Sequence, residues 1–512
     1  MAVKPTHVRP GRWLAAASGV VAAVGAVATA TLVAAVSRSM RSPIVDVGDR
    51  FIGFTPGWLK DLAISLFGTN DKLALLVGIG IFLLLFAAGV GLLAMRRQLL
   101  FGAAGVALFG VVGMTAALGS GRGPEAAVPS LVGAVAGILL LGWLHRLWSK
   151  SHGDDDASTL DSRRRLLRGL GGAALGAGLI GLGGLYFVRR LEVPPGMLPP
   201  VAVPLPAPLS DAGLDDPGLS PFVTPNEDFY RIDTALTVPR IPTGDYQLRV
   251  HGMVDHELTL GYDDLLARRQ VEADITLTCV SNEVGGQLVD NARWQGVRLD
   301  ELLAEAGVQA GSDQLVGRSY DGYTCGFPVS AATDGREALV VVGMNGEPLP
   351  PEHGFPVRLV VPGLYGYVSA TKWLREIELT TFDAFDHYWE RRGWATEAPI
   401  KTQSRIDTPA ALERVPVGQS VIAGVAWAQT RGIKAVEVKV DDGPWQQAEL
   451  GAEVNNTTWR QWRIPWDVFP GNHNISVRAT DATGETQTEE RARPVPDGAT
   501  GWHSIVAMGV ET

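Results

Sequence analysis

The chain of 512 residues has only two cysteines, Cys279 and Cys325. The first stands where a strand pattern meets a turn. In Asp274-Ile-Thr-Leu-Thr-Cys-Val-Ser-Asn-Glu-Val-Gly-Gly286, Ile275 and Leu277 alternate with Thr276 and Thr278, the period of a short strand. Ser-Asn-Glu-Val-Gly-Gly after the cysteine is turn chemistry. A thiol at a strand end, in a loop that glycine frees, can point into a cavity and bind a soft metal as thiolate. The alternative is a structural disulfide between Cys279 and Cys325, of the kind exported domains carry.

The elements around this stretch mix the two periodicities. Tyr246–Val250 reads as a strand, Tyr262–Arg269 as a short helix, and Arg298–Ala306 as a helix with apolar Leu299, Leu302 and Leu303. Ala338–Val342 and Val357–Val361 read as buried strands. Without strict βαβ alternation the pattern predicts an α+β domain. From about Val415 the chain turns to strands alone: Ser420–Ala426, Ala435–Val440, Trp459–Ile464 and Asn474–Ala479. Asp441-Asp442-Gly443 and Pro470-Gly471-Asn472 are turns between them. An immunoglobulin-like sandwich without a cysteine pair fits. Pro194–Pro225 is proline-rich and predicts an extended tether.

Upstream, Leu14–Val36, Leu73–Met95, Leu99–Leu118, Ala127–Leu144 and Leu170–Val188 are uncharged runs of membrane-crossing length. Phe51–Phe67, with Pro56, is shorter and reads as interfacial. Gly169–Gly184 is rich in small residues, which suits close helix contact. Lys4, Arg9 and Arg12, then Arg96 and Arg97, then Arg146, Lys150, Arg163, Arg164, Arg165 and Arg168 place the N-terminus in the cytoplasm and the C-terminal half outside. Arg38, Arg41, Arg189 and Arg190 oppose that but are fewer. No histidine falls inside a predicted span, His145 marking the end of one, so haem ligated from within the membrane is not expected. Ser162-Arg163-Arg164-Arg165-Leu166-Leu167 resembles a twin-arginine export signal, with an ordinary topological charge cluster as the alternative. The net charge of −10 and the lack of a basic stripe argue against nucleic acid as a partner. The resulting division is an anchor over 1–190, a linker over 191–224, an α+β domain over 225–400 and a sandwich over 401–512.

At Leu277-Thr-Cys-Val-Ser-Asn282 the soluble half resembles the sulfite oxidase family of molybdopterin-dependent oxidoreductases. Thr224-Pro-Asn-Glu-Asp-Phe-Tyr-Arg231, Asn291–Leu299, Met344–Gly363, Thr371-Lys-Trp373, Gly424-Val-Ala-Trp427 and Gly501-Trp-His503 carry the resemblance in order. The resemblance covers about residues 220–512, and the membrane region is similar to anchors of actinobacterial members. It implies a molybdenum cofactor, molybdopterin, with Cys279 as the metal ligand. It implies Tyr230 and Arg231 against the pterin and metal, Tyr323 near the oxo group, and Arg358 and Lys372 on the cofactor phosphate. His353, Thr371 and Asp321 complete the implied cofactor set. It also implies a small-molecule substrate of sulfite or sulfoxide type, a sandwich of the family's dimerisation type and therefore a homodimer, and a separate electron partner, cytochrome or quinone.

Three departures bear on substrate. Val284 stands five residues after Cys279, where sulfite-oxidising members have arginine. Asp233 replaces a histidine, and no arginine stands just before Gly498. The competing class is a non-enzymatic extracellular binding module on a five-helix anchor.

Overall fold

A computed structural model describes residues 12–37, 40–54, 71–96, 98–119, 123–150, 159–190, 197–202, 204–206, 212–235 and 237–511. Two compact units result: Met1–Val193 with Thr234–Val238, and Pro194–Asp233 with Pro239–Thr512.

The first unit contains α1 (Arg12–Ala34), α2 (Pro43–Phe54), α3 (Asp71–Arg96), α4 (Leu99–Leu118), α5 (Val128–Lys150) and α6 (Thr159–Arg190). Five of its segments, in α1 and α3 to α6, are long and apolar enough to cross a membrane. Their outward faces carry Leu85, Leu100, Leu139 and Leu175, each at least 68% exposed, as expected of surface that hydrocarbon covers. Two boundaries differ from the sequence reading. α6 starts at Thr159, so Ser162–Arg168 form its first turns and are not a loop. α5 runs to Lys150, which brings His145 inside a candidate span, Pro124–Leu147. Of the interfacial stretch, residues 51–54 end α2, and 55–67 lie outside the described residues, as do Lys4, Arg9, Arg38 and Arg97.

Close helix contact occurs between α1 and the glycine-rich α6, as the small residues suggest, and also between α1 and α3. A Cβ on Gly19 would lie 1.9 Å from the Ala87 carbonyl oxygen, and one on Gly91 would lie 2.2 Å from that of Ala15. The small residues of α1 and α3 therefore let two backbones touch. In the glycine-rich α6, Gly171, Gly172, Gly176, Gly178 and Gly183 face open space, and only Gly184 closely approaches backbone, at 3.0 Å from the Leu32 nitrogen. Glycines spread around a helix cannot all face one neighbour.

The second unit is built from four sheets. β1 (Gln247–Gly252), β2 (Leu258–Gly261), β5 (Gln314–Ser319), β6 (Thr324–Pro328) and β10 (Leu374–Thr380) form one, in the order β2-β1-β10-β5-β6. Another runs β3-β4-β7-β8, from β3 (Val271–Thr278), β4 (Val289–Arg298), β7 (Leu339–Met344) and β8 (Glu347–Pro348), with β9 (Arg358–Val360) also on β7. The short helices α7 (Tyr262–Ala267) and α8 (Leu299–Ala306) match their predicted positions, and α8 buries Leu299, Leu302 and Leu303 as the pattern requires.

The C-terminal strands form two facing sheets, β11-β13-β17-β16 and β12-β19-β18-β14-β15. They are β11 (Gln403–Thr408), β12 (Arg414–Pro416), β13 (Gly418–Trp427), β14 (Ile433–Val440), β15 (Gln446–Gln447), β16 (Glu449–Leu450), β17 (Arg460–Val468), β18 (Gly471–Asp481) and β19 (His503–Val510). Ile422, Trp462, Val436 and Val477 fill the space between them, so alternate residues of each strand point inward.

The proline-rich stretch is not a free tether where it is described. Ala202 N–H donates to the Gln270 carbonyl at 3.0 Å, Leu205 N–H to Glu272 at 3.0 Å, and Gln295 Nε2 to the Pro199 carbonyl at 2.9 Å. Prolines cannot donate, but the non-proline N–H groups between them do, and the carbonyls of the segment accept, so both kinds of group dock it on β3 and β4. Residues 191–196 and 207–211 lie outside the described residues.

Candidate active site

β3 delivers the cysteine. Its last six residues, Ala273–Thr278, are all buried, although a strand of alternating pattern exposes one face by default. The reason is the sandwich, which closes the free edge of β3. Thr276 N–H donates to the Thr457 carbonyl at 3.1 Å, and the Thr276 carbonyl accepts from Gln429 Nε2 at 2.9 Å. The Thr276 hydroxyl accepts from Trp459 N–H at 2.7 Å, and Thr457 Oγ1 donates to the Asp274 carbonyl at 3.0 Å. On the other side Asp274 and Arg293 form a bidentate ion pair, both contacts at 2.8 Å.

Cys279 follows at the strand end, 8% exposed and unbridged; Cys325 is also free. That removes the disulfide alternative. Burial raises the Cys279 thiol, and the hydrogen bonds from Ser281 oppose it. Two buried polar atoms beside it have no partner among the described residues: Thr278 Oγ1 and Asn282 Nδ2. Buried donors without a protein partner, within three residues of the thiol in the chain, leave hydrogen bonds for a bound group to accept. The turn itself is held from the sandwich. Arg405 donates to the Gly286 carbonyl at 3.1 Å. A Cβ on Gly285, at φ +80°, would lie 2.3 Å from the His503 ring. His503 accepts the Ile406 N–H at 2.9 Å, and burial and then Arg405 depress its pKa to about 4.

The Thr224–Arg231 segment lies against the opposite wall. Asp290 of β4 accepts Tyr230 N–H at 2.6 Å and Thr224 Oγ1 at 3.2 Å; burial lifts its pKa to about 6 against those bonds. Tyr230 is held well above its ordinary value by burial and then by Cys279, so it stays a neutral phenol. The Asn226 carbonyl accepts from His353 Nε2 at 3.0 Å. Burial and then the Arg358 charge depress His353 to about 4, which makes it a neutral imidazole.

Arg358, at the start of β9, is the least compensated charge. It is 4% exposed and donates to the His353 carbonyl at 3.0 Å, with its guanidinium 4.9 Å from the Trp294 ring centre. Among the described residues no carboxylate pairs with it. Desolvation lowers its pKa to about 10. Lys372 sits nearby electrostatically, depressed to about 8 by burial and partly restored by Asp233, its partner at 3.0 Å. Asp233 also binds Arg231 at 2.8 Å, so one buried carboxylate offsets two cations.

Tyr323 stands across the site on the β5–β6 turn. Burial is the main reason its phenol stays protonated, with Cys325, Asp321 and Cys279 adding to it. Its hydroxyl donates to the Tyr367 carbonyl at 2.5 Å, so in this conformation it offers a lone pair to the site. Asp321 shapes that turn by accepting Tyr323 N–H at 3.0 Å. Thr371 gives its hydroxyl proton to Cys325 Sγ at 2.7 Å, and burial lifts that thiol to about 11. On the Tyr323 side, the ring of Tyr388 lies 5.5 Å away and carries Arg392 at 3.6 Å.

The three departures have physical counterparts. Val284 is 9% exposed, inside the turn. Asp233 neutralises cations instead of adding one. Asp497 precedes Gly498 and pairs with Lys401 at 2.9 Å, while a Cβ on Gly498 would lie 2.5 Å from the Tyr365 hydroxyl.

Residues 235–389 match the family model described as oxidoreductase molybdopterin binding domain. The uncharacterized oxidoreductase YuiH of Bacillus subtilis is 34% identical over 181 residues, 34% of this chain and 85% of that protein. The chain belongs to the sulfite oxidase family of molybdopterin-dependent oxidoreductases. Mitochondrial sulfite oxidase of Homo sapiens is 32% identical over 303 residues, half of this chain and 55% of that protein. The chain thus spans little more than half the length of that relative. The sulfane dehydrogenase SoxCD of Paracoccus pantotrophus shares the fold, at a TM-score of 0.50 and 22% identity over 59% of this chain and 85% of that one.

Family membership implies a molybdenum cofactor, and the residues present fit one. An unbridged thiol, orphaned donors at Thr278 and Asn282, and a buried guanidinium without a carboxylate answer to a metal–sulfur centre and an anionic tail. Sequence reasoning missed the sandwich's contribution. Arg405, His503, Gln429 and Thr457 are more than a hundred residues from Cys279, and no local pattern joins them to it.

Proposed function

We propose that the chain is a membrane-anchored molybdopterin oxidoreductase in which Cys279 ligates molybdenum and a small sulfur-oxo substrate reacts on the extracytoplasmic side. One observation carries this reading: a free thiol at a strand end lies near Arg358, a buried cation with no carboxylate partner among the described residues. The cofactor, when bound, supplies two-electron oxo transfer. The chain's residues supply placement and charge. Arg358 and Lys372 hold the phosphate tail, and neutral His353 packs beside it without adding repulsion. Tyr230 keeps a proton to donate, and Tyr323 presents an acceptor.

The balance of charge favours a neutral sulfoxide over the sulfite dianion. Val284 contributes no charge, Asp233 offsets part of the charge of Arg231 and Lys372, and Asp497 is paired with Lys401, so an anion would meet less attraction than in a pocket lined by further arginines. The anchor is assigned to 1–190, the cofactor domain to 225–400 and a dimerisation-type sandwich to 401–512. The basic residues between spans support an outward-facing catalytic half.

The test is metal analysis and turnover of the purified full chain. About one molybdenum per chain, with faster dye-driven sulfoxide reduction than sulfite oxidation, supports the reading. Absence of molybdenum in protein made by a cofactor-competent host overturns the site. Sulfite oxidation as the faster reaction overturns the substrate preference. A reporter active only outside the cytoplasm, fused after Thr512, should be active.

A further inference from the structure

The bundle of the first unit holds a cavity of about 610 Å³ between α1, α3, α4, α5 and α6. Every lining residue is uncharged, and only Thr31 and Ser130 bring a polar side chain. It is half open and not a sealed void, so the medium around the helices reaches it. Water gains little there, because each bound water needs two to four polar partners. Hydrocarbon remains, and helices of membrane-crossing length stand where hydrocarbon is the solvent.

The lining selects among amphiphiles. A phospholipid carries a phosphate, which seeks Lys or Arg, and this cavity offers neither. A neutral head with carbonyl oxygens suits a hydroxyl: Thr31 gives its proton to the Val27 carbonyl at 2.9 Å, which leaves Ser130 as the other hydroxyl on the lining. Phe86 and Phe109 both line it, with ring centres 5.3 Å apart, and give a planar ring aromatic surface to pack on.

Redox need points the same way, resting on the oxidoreductase reading above. Two electrons must enter or leave per turnover. Among the described residues the helices of the first unit hold one histidine, His145, and no cysteine, too few for a metal relay of their own. We propose that the bundle cavity binds a prenylated quinone, its ring by Phe86 and Phe109 and its tail between the helices, and that this quinone is the electron partner. In sulfoxide reduction the balance closes: the quinol loses two electrons and two protons and becomes quinone. The sulfur–oxygen bond breaks, and the oxygen leaves as water with those protons.

Gly80 and Gly178 both line the cavity, and a Cβ on either meets nothing within 4 Å, so bulk can enter there without a backbone clash. Gly172 has the same open surroundings but lies off the cavity, which makes Gly172→Phe the control. The full chain is placed in nanodiscs of phosphatidylglycerol with a short-tailed menaquinone, passed over a lipid-exchange column and extracted. Wild type and Gly172→Phe should retain about one quinone per chain, and Gly80→Phe/Gly178→Phe about tenfold less. Turnover driven by a soluble dye should be equal in all three, whereas quinol-driven turnover should fall in the double variant. Equal retention in the double variant, or recovery of phospholipid alone from wild type, overturns the proposal. Absent dye-driven turnover with retained quinone would refute the enzymatic reading and leave the cavity assignment standing.

Discussion

Arg358→Met should make the cofactor-free protein more stable while abolishing cofactor retention. The guanidinium is 4% exposed, and burial lowers its pKa from the usual 12.5 to about 10. At about 1.36 kcal/mol per pH unit this is roughly 3 kcal/mol of penalty carried by the charged form in the empty site. Methionine has similar length and no charge to desolvate. Its main cost is the bond from Arg358 Nη1 to the His353 carbonyl at 3.0 Å, a charged bond worth roughly 1.5–3 kcal/mol; the bonds to the Leu359 and Ala370 carbonyls, at 3.4 and 3.5 Å, are long and add little. The packing over Trp294 survives in the thioether. The net is a gain of about 1 kcal/mol, a rise of about 2 °C or more in melting temperature. The assay is thermal unfolding of the full chain from a host that cannot make the cofactor, paired with molybdenum analysis from a competent host. A loss of about 2 kcal/mol or more, in the range of a core cavity, would show that the fold itself compensates Arg358. The case for an anion site would then fall.

Cys279→Ser should leave the melting temperature of the cofactor-free protein within about 2 °C of wild type and remove molybdenum and turnover; an unchanged metal content would refute the ligand assignment. His353 is neutral in the fold with a pKa near 4, against 6.5 for the free side chain. The unfolded chain therefore binds the extra proton between those values, so its contribution to stability is present above pH 6.5 and is lost as pH falls toward 4. That contribution is about 3 kcal/mol, and His353→Gln should flatten the decline in a pH series of chemical denaturation. Gly285→Ala should cost roughly 2–4 kcal/mol, because a positive φ and a clash with His503 coincide; a loss below about 1 kcal/mol would show that the turn yields. Replacing Arg163, Arg164 and Arg165 with lysine keeps the charge but removes the guanidinium groups, so a receptor-read export address predicts retention in the cytoplasm, and normal export refutes it.

The chain's own periodicity showed most of the scaffold. The five apolar spans, α8 and the inner strands of the sandwich lie within a few residues of their predicted limits, although α5 and α6 as helices run beyond their spans, because each repeats an apolar pattern. Cys279, Tyr230, Arg231, His353, Arg358 and Lys372 were named through the family resemblance, and the fold brings them to one site. β5, β6 and β10 carried no clear signal. Their residues are buried by a sheet that pairs strands from distant parts of the chain, and Gly317 and Gly326 break the β-branched pattern for packing reasons, against Cys325 and Gln314. The tether reading failed for a similar reason. Proline content describes what a segment cannot donate, while the backbone N–H and carbonyl groups that dock it on β3 and β4 are common to nearly every residue.

The sandwich is part of the site's mechanics as well as a module beside it. A metal-binding thiol at the end of an edge strand is a poor design, because edge strands fray and can pair with other chains. Here the edge is closed by Thr457 and Gln429, and the turn beyond it is gripped by Arg405 and His503. These contacts hold the strand before Cys279 and the turn after it, while the Cys279 N–H is held within the α+β domain by the Leu288 carbonyl at 2.9 Å. The buried thiol takes its hydrogen bonds from Ser281, and Thr278 Oγ1 and Asn282 Nδ2 stay without partners among the described residues. The positioning comes from residues that never touch the reacting atoms. For that reason the motif around Cys279 reads as chemistry in sequence, while its support reads only as an ordinary β-sandwich.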